Sequence, residues 1–581
     1  MDKILWICSI LTFVVTCEGK AWTDEEETPE YWQNLAKEEL QAAIKVEEPN
    51  KKKAKNVILF LGDGMSVATI TAGRIMKGQL QDKSGEETVL AMDKFHHAGL
   101  SKTYSVDRQV ADSASTATAY LCGVKAMFYT LGLSGQARKD VCGSEKGNQV
   151  KSVLVDAYED GKATGIVTTT RINHATPAGA YAHTASRKWY GDAQLSEDAR
   201  KNGCRDIAQQ FFDSSHMITV AMGGGRKYFQ PNTTFDPEYS TEANTRLDGQ
   251  DLISKWKQKQ VENGQNAKYI WNKEQFDLVN PEKTDRLLGL FQPSDMQYEA
   301  ERESDKAGEP SLAEMTQKSI EILRKNSNGY FLLVEGGRID HGHHGNHVYK
   351  ALRDTVAFDD AIEKAVQMTS DDDTLIIVTA DHSHTFNLGG YTDRGTPIWG
   401  LVQWNGEVQL AHDGKPYTSV SYGNGEGYQG TGTYDEMGPH HRENLTGVAT
   451  GDLNYRHQTS VPLKSESHGG DDVIILARGP MSHLFHGVHQ QSYIAYAMRY
   501  AACIGSVRGH CEENPEGTSY QTNNFLGMEL GRAQTSTALN VQFALLIILF
   551  TCVIIMGILL HKKNSRRGYI AQQQCEDGRQ L

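Results

Sequence analysis

Apolar runs with the length and composition of buried parallel β-strands recur along the chain, and side chains that can bind metals stand next to their ends. Because the carboxyl ends of parallel strands meet at one edge of a sheet, we expect these side chains to lie close together. The runs and their neighbours are 56–65 with Asp63, 163–170 with His174 and Thr176, 329–334 with Glu335 and Asp340, 374–380 with Asp381 and His382, and 473–477 with His468 before it. The pattern predicts an α/β fold with a metal centre on one edge of the sheet.

Two stretches have the periodicity of helices. Residues 21–55 are charged and amphipathic, which predicts an N-terminal helix that packs on a neighbouring element. Residues 66–77 follow the first apolar run, and we expect them to form the helix that returns the chain to the next strand. The apolar positions at helical intervals in the first stretch are Tyr31, Leu35, Leu40 and Ile44.

The N-terminus has the pattern of a secretory signal. Lys3 precedes the apolar run 4–15, which is too short to span a bilayer, so we interpret 1–19 as a signal peptide. Acceptor sequences for N-glycosylation at Asn232 and Asn444 agree with an extracellular protein.

The C-terminal region predicts attachment to a membrane. Residues 538–560 are apolar and long enough to cross a bilayer, and the basic stretch 561–567 follows directly. We therefore predict a single-pass type I protein with a juxtamembrane linker at 516–537 and a cytosolic tail at 561–581. A GPI anchor is the alternative, although its signal would normally end within the apolar stretch.

Charge and cysteine content restrict the function further. The chain has 581 residues and a formal net charge of -14, and its body contains no basic stripe, so a nucleic-acid partner is not expected. An acidic protein that handles anions needs local positive charge, which metal ions would supply. Five cysteines lie outside the signal, the apolar segment and the tail, and in an oxidising compartment they suggest two disulfides and one free thiol. The preferred pairs are Cys503 with Cys511 and Cys142 with Cys204, which leaves Cys122 free.

The segment 110–119 places Asp112 and Ser113 before a run of small residues. A helix that begins here would direct free N–H groups and a partial positive charge at an anion, so Ser113 is a candidate nucleophile toward phosphate. The alternative is an ordinary N-cap. Both interpretations are compatible, because a helix start that is capped can also cradle a phosphate.

The ligand types indicate which metals the edge of the sheet would bind. Asp340 and His344 are four residues apart, so a helical turn places them on one face, and with His468 they form a nitrogen and oxygen set that suits zinc. A second zinc would lie beside Ser113, and hard oxygen ligands would bind magnesium. The second zinc set is Asp381 and His382 with Asp63 or Asp112, and the magnesium set is Glu335, Thr176 and Asp63. For His341, His343 and His384, a solvated loop is the favoured interpretation.

The segment 110–118 resembles the signature of the alkaline phosphatases, and the other clusters match that family in order from about residue 30 to about residue 515, with similarity to its animal, membrane-attached members. The resemblance implies a three-layer α/β/α sandwich around a large, mostly parallel sheet over 20–515. It also implies a crown insertion at about 390–465, a homodimer, and hydrolysis of phosphate monoesters at the extracellular face of the cell membrane with two zinc ions and one magnesium ion.

Carried over to this sequence, the resemblance assigns a role to each candidate residue. It implies that Ser113 is phosphorylated and then released by water, and that Arg187 grips the phosphate. One zinc would bind Asp340, His344 and His468, the other would bind Asp63, Asp112, Asp381 and His382, and magnesium would bind Asp63, Thr176 and Glu335, with His174 in contact through water.

A calcium site is also implied, but with an altered ligand. Glu238, the carbonyl of Phe291 and Glu309 fit the pattern of the animal members, whereas Gln292 stands where a glutamate is usual. The neutral amide removes one negative charge, which weakens the expected calcium site.

Other functions remain open at this level. A phosphodiesterase or sulfatase of the same superfamily would share the metal ligands, although such relatives usually carry threonine or a modified cysteine as nucleophile. The alternative outside the enzymes is a surface receptor or adhesion protein on an inactive phosphatase scaffold, and a phosphatase assay with and without chelator distinguishes it.

Overall fold

The computed structural model describes residues 25, 28–44, 50–428, 442–508 and 511 of the chain. By its contacts the chain divides into one compact unit, 1–508, and a second unit, 509–581. The helices are α1 Pro29–Ile44, α2 Val67–Gln79, α3 Ser113–Ala117, α4 Val153–Glu159, α5 Ala175–Ala178, α6 Glu197–Lys201, α7 Ile207–Ser214, α8 Leu252–Glu262, α9 Lys273–Asp277, α10 Leu312–Leu323, α11 Arg338–His344, α12 Val348–Met368 and α13 Tyr493–Ala502.

Ten strands form the central sheet, in the order β17-β2-β16-β8-β1-β7-β3-β4-β6-β5. Every neighbouring pair is parallel except the two that involve β16, which runs against β8 and β2. The strands are β1 Asn56–Gly62, β2 His97–Lys102, β3 Ala163–Arg171, β4 Val220–Gly224, β5 Ala267–Ile270, β6 Arg286–Leu290, β7 Tyr330–Gly336, β8 Thr374–Ala380, β9 Ser383–His384, β10 Phe386–Leu388, β11 Gln403–Trp404, β12 Glu407–Val408, β13 Val420–Gly425, β14 Thr459–Pro462, β15 His468–Gly469, β16 Val473–Arg478 and β17 Gly487–Gln490.

Both faces of this sheet are covered by helices, as β1 at its centre demonstrates. Side chains alternate between the two faces of a strand. Val57, Leu59 and Leu61 belong to one buried cluster with residues of α13, whereas Ile58 and Phe60 belong to a second cluster with residues of α10 and α12. The predicted three-layer α/β/α sandwich around a large, mostly parallel sheet is therefore confirmed.

The reversed direction of β16 decides where His468 lies. The carboxyl ends of β1, β3, β7 and β8 lie at the same edge because these strands are parallel. Since β16 is antiparallel to β8, the residues that precede it emerge at that same edge. His468, which precedes an apolar run, therefore lies with the side chains that follow the other runs.

The predicted N-terminal helix packs on the sandwich, although of the four apolar positions named for it only Leu40 is among its described, fully buried residues. Trp32, Ala36 and Leu40 of α1 are fully buried, and α1 lies against α13. Lys125 places its ammonium group 5.6 Å from the centre of the Trp32 ring, which adds a cation–π contact to apolar burial. The predicted second helix, 66–77, is also present as α2.

The predicted crown insertion, about 390–465, contributes to small sheets in its described part. Strands β11 and β12 pair as a hairpin, and β13 lies between β10 and β14 in a three-stranded sheet. Tyr422 of β13 is buried, and its hydroxyl lies 2.9 Å from Nδ1 of His343. The crown insertion is therefore joined to α11, which carries predicted zinc ligands. Residues 429–441 of the insertion lie outside the described residues.

The cysteines outside the termini have the predicted redox states. Cys142 and Cys204 form a disulfide, Cys503 and Cys511 are both disulfide-bonded, and Cys122 is free and buried. Asn232 and Asn444 are exposed, as glycosylation would require.

No helix within the described ranges is long and apolar enough to cross a membrane. The predicted signal peptide 1–19, linker 516–537, membrane segment 538–560 and tail 561–581 all lie outside the described residues.

Candidate active site

Ser113 is the first residue of α3 and lies at the edge where the strand ends converge. Asp112 is the N-cap of this helix, and its side chain accepts hydrogen bonds from the backbone N–H groups of Ala114 and Ser115. The hydroxyl of Ser113 lies 3.2 Å from Nε2 of His382 and 3.5 Å from Oδ1 of Asp63, and the residue is 1% exposed. A helix start therefore presents the predicted nucleophile directly to predicted zinc ligands.

The first ligand group contains Asp340, His344 and His468. Nδ1 of His344 lies 2.5 Å from the carbonyl oxygen of Glu466, and Nδ1 of His468 lies 2.8 Å from that of Ala111. Each Nδ1 must donate its hydrogen to these carbonyls, so the Nε2 atoms carry lone pairs. The two Nε2 atoms face each other at 3.1 Å, with Asp340 Oδ2 3.4 Å from His344 and Asp340 Oδ1 3.4 Å from His468. Lone pairs and a carboxylate that converge in this way fit a zinc ion.

The second ligand group contains Asp63, Asp381 and His382, with one ligand atom from each within 4.8 Å of the others. Burial and the nearby Asp381 raise the pKa of Asp63, and burial lowers the pKa of His382. Nε2 of His382 lies 3.1 Å from Asp381 and 3.4 Å from Asp63. The buried carboxylates lack a matching positive charge, which a second zinc would provide.

The third ligand group contains Asp63, His174 and Glu335. Thr168 and Thr170 donate hydrogen bonds to Oε2 of Glu335, and burial raises the pKa of this carboxyl to about 7. One atom of each group member is buried without a hydrogen-bond partner among the described residues, namely Asp63 Oδ2, His174 Nδ1 and Glu335 Oε1. Such orphaned oxygens fit a magnesium ion and its waters.

Thr176 is the second residue of α5, whose N-cap is His174, and it contributes a hydrogen bond to Glu335. The hydroxyl of Tyr120 lies 3.3 Å from that of Thr176. The predicted magnesium ligands from β1, β3 and β7 are thus brought together.

Asp112 differs from its predicted role, because protein donors occupy both of its carboxylate oxygens. Oδ1 accepts from the backbone N–H of Tyr129 at 2.9 Å and from Ser115, and Oδ2 accepts from Arg187 at 3.0 Å. Asp112 belongs to none of the ligand groups found among the described residues. The structure favours a capping and positioning role for Asp112 over that of a zinc ligand.

Arg187 lies beside the nucleophile and is held from two sides. Its two terminal nitrogens lie 3.0 Å from Oδ2 of Asp112 and 3.0 Å from Nε2 of His174. Burial acts against its charge, but Asp112 raises the pKa of the guanidinium. Arg187 therefore remains a cation at the position where the resemblance implies phosphate binding.

The interpretation of His341, His343 and His384 as residues of a solvated loop is wrong. His343 is fully buried, His384 is 2% exposed, and His341 is largely covered within α11. Strand β9, which carries His384, pairs with β15, which carries His468, and this pairing draws His384 into the site. The sequence signal was weak, because the apolar run before His384 ends four residues earlier.

His384 and Glu466 are functional candidates that the sequence patterns did not identify. Nε2 of His384 lies 2.8 Å from Asp340, and its Nδ1 contacts the carboxylate of Glu466. Burial opposes the charge on His384, but Glu466 and Asp340 raise its pKa to about 10. Glu466 also bonds to Thr385 and, through its carbonyl, to His344. This pair holds ligands of the first group in place.

The residues predicted for calcium lie close to one another. Glu238 and Glu309 are both next to Asp305, whose Oδ1 accepts a 2.8 Å hydrogen bond from the amide of Gln292. Burial and Asp305 raise the pKa of Glu238 to about 7, and burial raises that of Glu309 to about 8. The carbonyl of Phe291 accepts a 3.2 Å hydrogen bond from Arg226.

Comparisons with known proteins agree with this geometry. The family model for alkaline phosphatase matches residues 54–504. The tissue-nonspecific alkaline phosphatase of Gallus gallus is 50% identical to the chain over 498 residues, which cover 85% of this chain and 93% of that protein. The human tissue-nonspecific isozyme is 49% identical over 510 residues, which cover 86% of this chain and 95% of that protein.

Solved structures support the fold alone. The alkaline phosphatase of Thermus thermophilus is 22% identical with a TM-score of 0.55, covering 79% of this chain and 94% of that one. The enzyme of the Antarctic bacterium TAB5 is 23% identical with a TM-score of 0.53, covering 78% and 99%. Together with the family match, these findings lead to one conclusion: the chain belongs to the alkaline phosphatase family and is a hydrolase of phosphate monoesters.

Proposed function

We propose that the enzyme hydrolyses phosphate monoesters through a phosphoserine intermediate on Ser113. The position of the Ser113 hydroxyl carries this proposal, since it stands at a helix start, 3.2 Å from His382 and next to the cationic Arg187. A phosphate placed there meets the positive end of a helix, a guanidinium and a nucleophile at once.

Two zinc ions and one magnesium ion are the proposed cofactors, because the converging lone pairs and orphaned oxygens fit them. When bound, they would lower the pKa of the Ser113 hydroxyl and neutralise charge on the attacking and departing oxygens. The proposed ligands are Asp340, His344 and His468 for one zinc, Asp63, Asp381 and His382 for the other, and Asp63, Glu335 and Thr176 with His174 for magnesium.

The proposed bond changes involve two residues of the chain, Arg187 and Ser113. Arg187 orients two phosphate oxygens, and Oγ of Ser113 bonds to phosphorus as the bond to the alcohol oxygen breaks. The serine proton is released, and the departing alcohol oxygen takes up a proton. Water then attacks phosphorus, which returns Ser113 to its hydroxyl form and releases inorganic phosphate. Each step inverts the configuration at phosphorus, so the two steps together retain it.

Acid quenching during turnover of a radiolabelled phosphate ester tests the intermediate. We expect label on the peptide that contains Ser113, and we expect Ser113→Ala to lose this label and nearly all turnover. Ser134→Ala is the matched control, because it removes another buried hydroxyl that bonds to Asn148 instead of to the site. Full activity in Ser113→Ala would overturn the proposal.

We further propose that the enzyme acts at the extracellular face of the cell membrane and is attached through its C-terminal region. The apolar residues 538–560 support attachment, either as a transmembrane span or as the signal for a GPI anchor. Treatment of intact cells with a phosphatidylinositol-specific lipase separates the two: release of activity identifies the anchor. Detection of residues after Gln572 on the mature protein identifies the span.

The crown insertion supports a proposal of homodimerisation by resemblance to the family. Its described part exposes Tyr391, Trp404 and Leu410, and such large exposed apolar side chains often mark an interface. Sedimentation of the purified extracellular region should give the mass of a dimer, and Trp404→Glu should shift the equilibrium toward monomer. A monomeric wild-type enzyme would contradict this proposal.

A further inference from the structure

Three carboxylates, Glu238 and the sequence neighbours Asp305 and Glu309, share one unusual feature around Gln292. In each, the protein holds one oxygen and leaves the other buried without a hydrogen bond among the described residues. Oδ1 of Asp305 accepts from Gln292 at 2.8 Å and from the Tyr239 hydroxyl at 3.5 Å, whereas Oδ2 has no such partner. A buried, unpaired carboxylate oxygen is costly, so one on each of three neighbours indicates a missing ligand.

Glu238 and Glu309 repeat this arrangement. Oε1 of Glu309 accepts a 2.6 Å hydrogen bond from the backbone N–H of Gln297, and the residue is 2% exposed, but Oε2 has no described partner. Oε1 of Glu238 accepts from the backbone N–H of Ala307 at 3.4 Å. Its Oε2 has no hydrogen-bond donor among the described residues and lies 3.5 Å from Arg226, and the Glu238 carboxyl faces that of Asp305.

Arg226 does not neutralise this group, because Asp236 already uses its charge. Two parallel hydrogen bonds of 2.7 Å join Arg226 to Asp236, and a third nitrogen of the guanidinium donates to the carbonyls of Leu290 and Phe291. The three carboxylates thus carry up to three negative charges, and the cations that act on them are Arg226, which is already paired with Asp236, and Arg338. A bound cation of higher charge would balance them.

We propose that Asp305 is a ligand of the calcium site, together with Glu238 and Glu309, and that it supplies the negative charge that Gln292 lacks. This inference rests on the calcium site that the resemblance implies and alters its ligand set. The amide of Gln292 then orients Asp305 through the 2.8 Å hydrogen bond in place of supplying charge itself. Three carboxylates and a nearby carbonyl form an all-oxygen set, and its irregular geometry suits calcium better than magnesium.

Calcium binding to the full-length enzyme, saturated with zinc and magnesium, tests the assignment. Equilibrium dialysis with calcium alone should show about ten-fold or more weaker binding by Asp305→Asn, because the charge of the ligands tunes calcium affinity. Glu303→Gln is the matched control, since Glu303 is an exposed carboxylate two residues away. The calcium affinity of this variant should equal that of the wild type.

A second variant separates loss of charge from misfolding. Gln292→Glu added to Asp305→Asn moves the carboxylate to the neighbouring side chain, and it should recover most of the lost calcium affinity and the calcium-dependent rise of the unfolding temperature. Unchanged binding by Asp305→Asn, together with weak binding by Glu309→Gln, would overturn the role of Asp305 and keep the site. Unchanged binding by both variants would overturn the site, and neither result would affect labelling of Ser113.

Discussion

Asp112, Arg187 and His174 show how single residues prepare the site for a phosphate. Asp112 is fixed by N–H groups of α3 and by Tyr129, and it holds Arg187 at 3.0 Å. His174 holds the other side of the same guanidinium. Because these bonds exist before a substrate arrives, little conformational entropy remains to be lost when phosphate binds.

Removal of the Arg187 side chain should mainly weaken phosphate binding. For Arg187→Ala we expect a loss of about 1.5 to 3 kcal/mol, the range of hydrogen bonds to charged groups, which appears as a higher inhibition constant for inorganic phosphate. Lys188→Ala removes the adjacent, exposed cation and serves as the control. An unchanged inhibition constant in Arg187→Ala would contradict the assigned contact.

A buried carboxyl in α12 should make stability depend on pH. Burial raises the pKa of Asp354 to about 8 from an ordinary value of 3.8. Between these two values the folded protein holds a proton that the unfolded chain has released, so the contribution of Asp354 to stability falls as pH rises through this window. Asp354→Asn should therefore gain free energy of unfolding relative to the wild type as pH increases to about 8.

Urea unfolding at several pH values within this window measures the effect. Glu363→Gln changes an exposed carboxyl on the same helix, and its difference from the wild type should stay constant with pH. A constant difference for Asp354→Asn would show that Asp354 is ionised in the folded protein.

At the scale of elements, the position of α1 depends on one large aromatic side chain. Trp32 is fully buried in the cluster that also contains α13, and Lys125 and Tyr104 both contact its ring. The helix buries a narrow apolar stripe, since Trp32, Ala36 and Leu40 recur at intervals of four residues. The described anchorage of α1 is therefore this stripe, with Trp32 as its largest side chain.

Trp32→Ala should release this helix. A truncation of this kind in a packed core costs about 3 to 5 kcal/mol, so we expect a lower midpoint of thermal unfolding and faster proteolysis near α1. Trp32→Phe keeps an aromatic ring and should lose much less. Equal stability of Trp32→Ala and the wild type would show that α1 contributes little to the fold.

At the scale of the whole molecule, the proposed metal ligands connect strands that are distant in sequence. Asp63 and Asp381 follow β1 and β8, Glu335 lies near the carboxyl end of β7, and His468 precedes β16. The three carboxylates are fully buried near one another, so their repulsion opposes folding until cations bind. The proposed metals therefore stabilise the fold as well as catalysis.

Chelation should consequently lower the unfolding temperature. A ligand present at 100 times its dissociation constant adds about 2.7 kcal/mol of stability, and removal of zinc and magnesium should withdraw a contribution of this size or larger. Calorimetry with and without chelator measures the shift, and added zinc and magnesium should restore it. An unfolding temperature that does not respond to chelator would contradict metal binding at these groups.

Much of the site could be predicted because its residues stand next to apolar runs. His384 and Glu466 could not be predicted, because they come close to the site only through the pairing of β9 with β15. The hydrogen-bond donors that occupy the Asp112 carboxylate could not be predicted either, because Tyr129 and Arg187 reach it from separate loops. Asp305 lies in a polar stretch without any periodic signal.

The sequence by itself determined the α/β class and the redox state of the cysteines outside the termini, and it predicted the strand ends that carry candidate ligands and Ser113 as the nucleophile. These features depend on local apolar patterns and on the order of residue types along the chain, and both can be seen in the sequence alone. Tertiary structure decided which oxygens and nitrogens are already satisfied by protein donors and which remain free for a cation. That distinction depends on distances between segments far apart in sequence, so only the folded chain separates Asp112 from the ligands and brings Asp305 to its two partners.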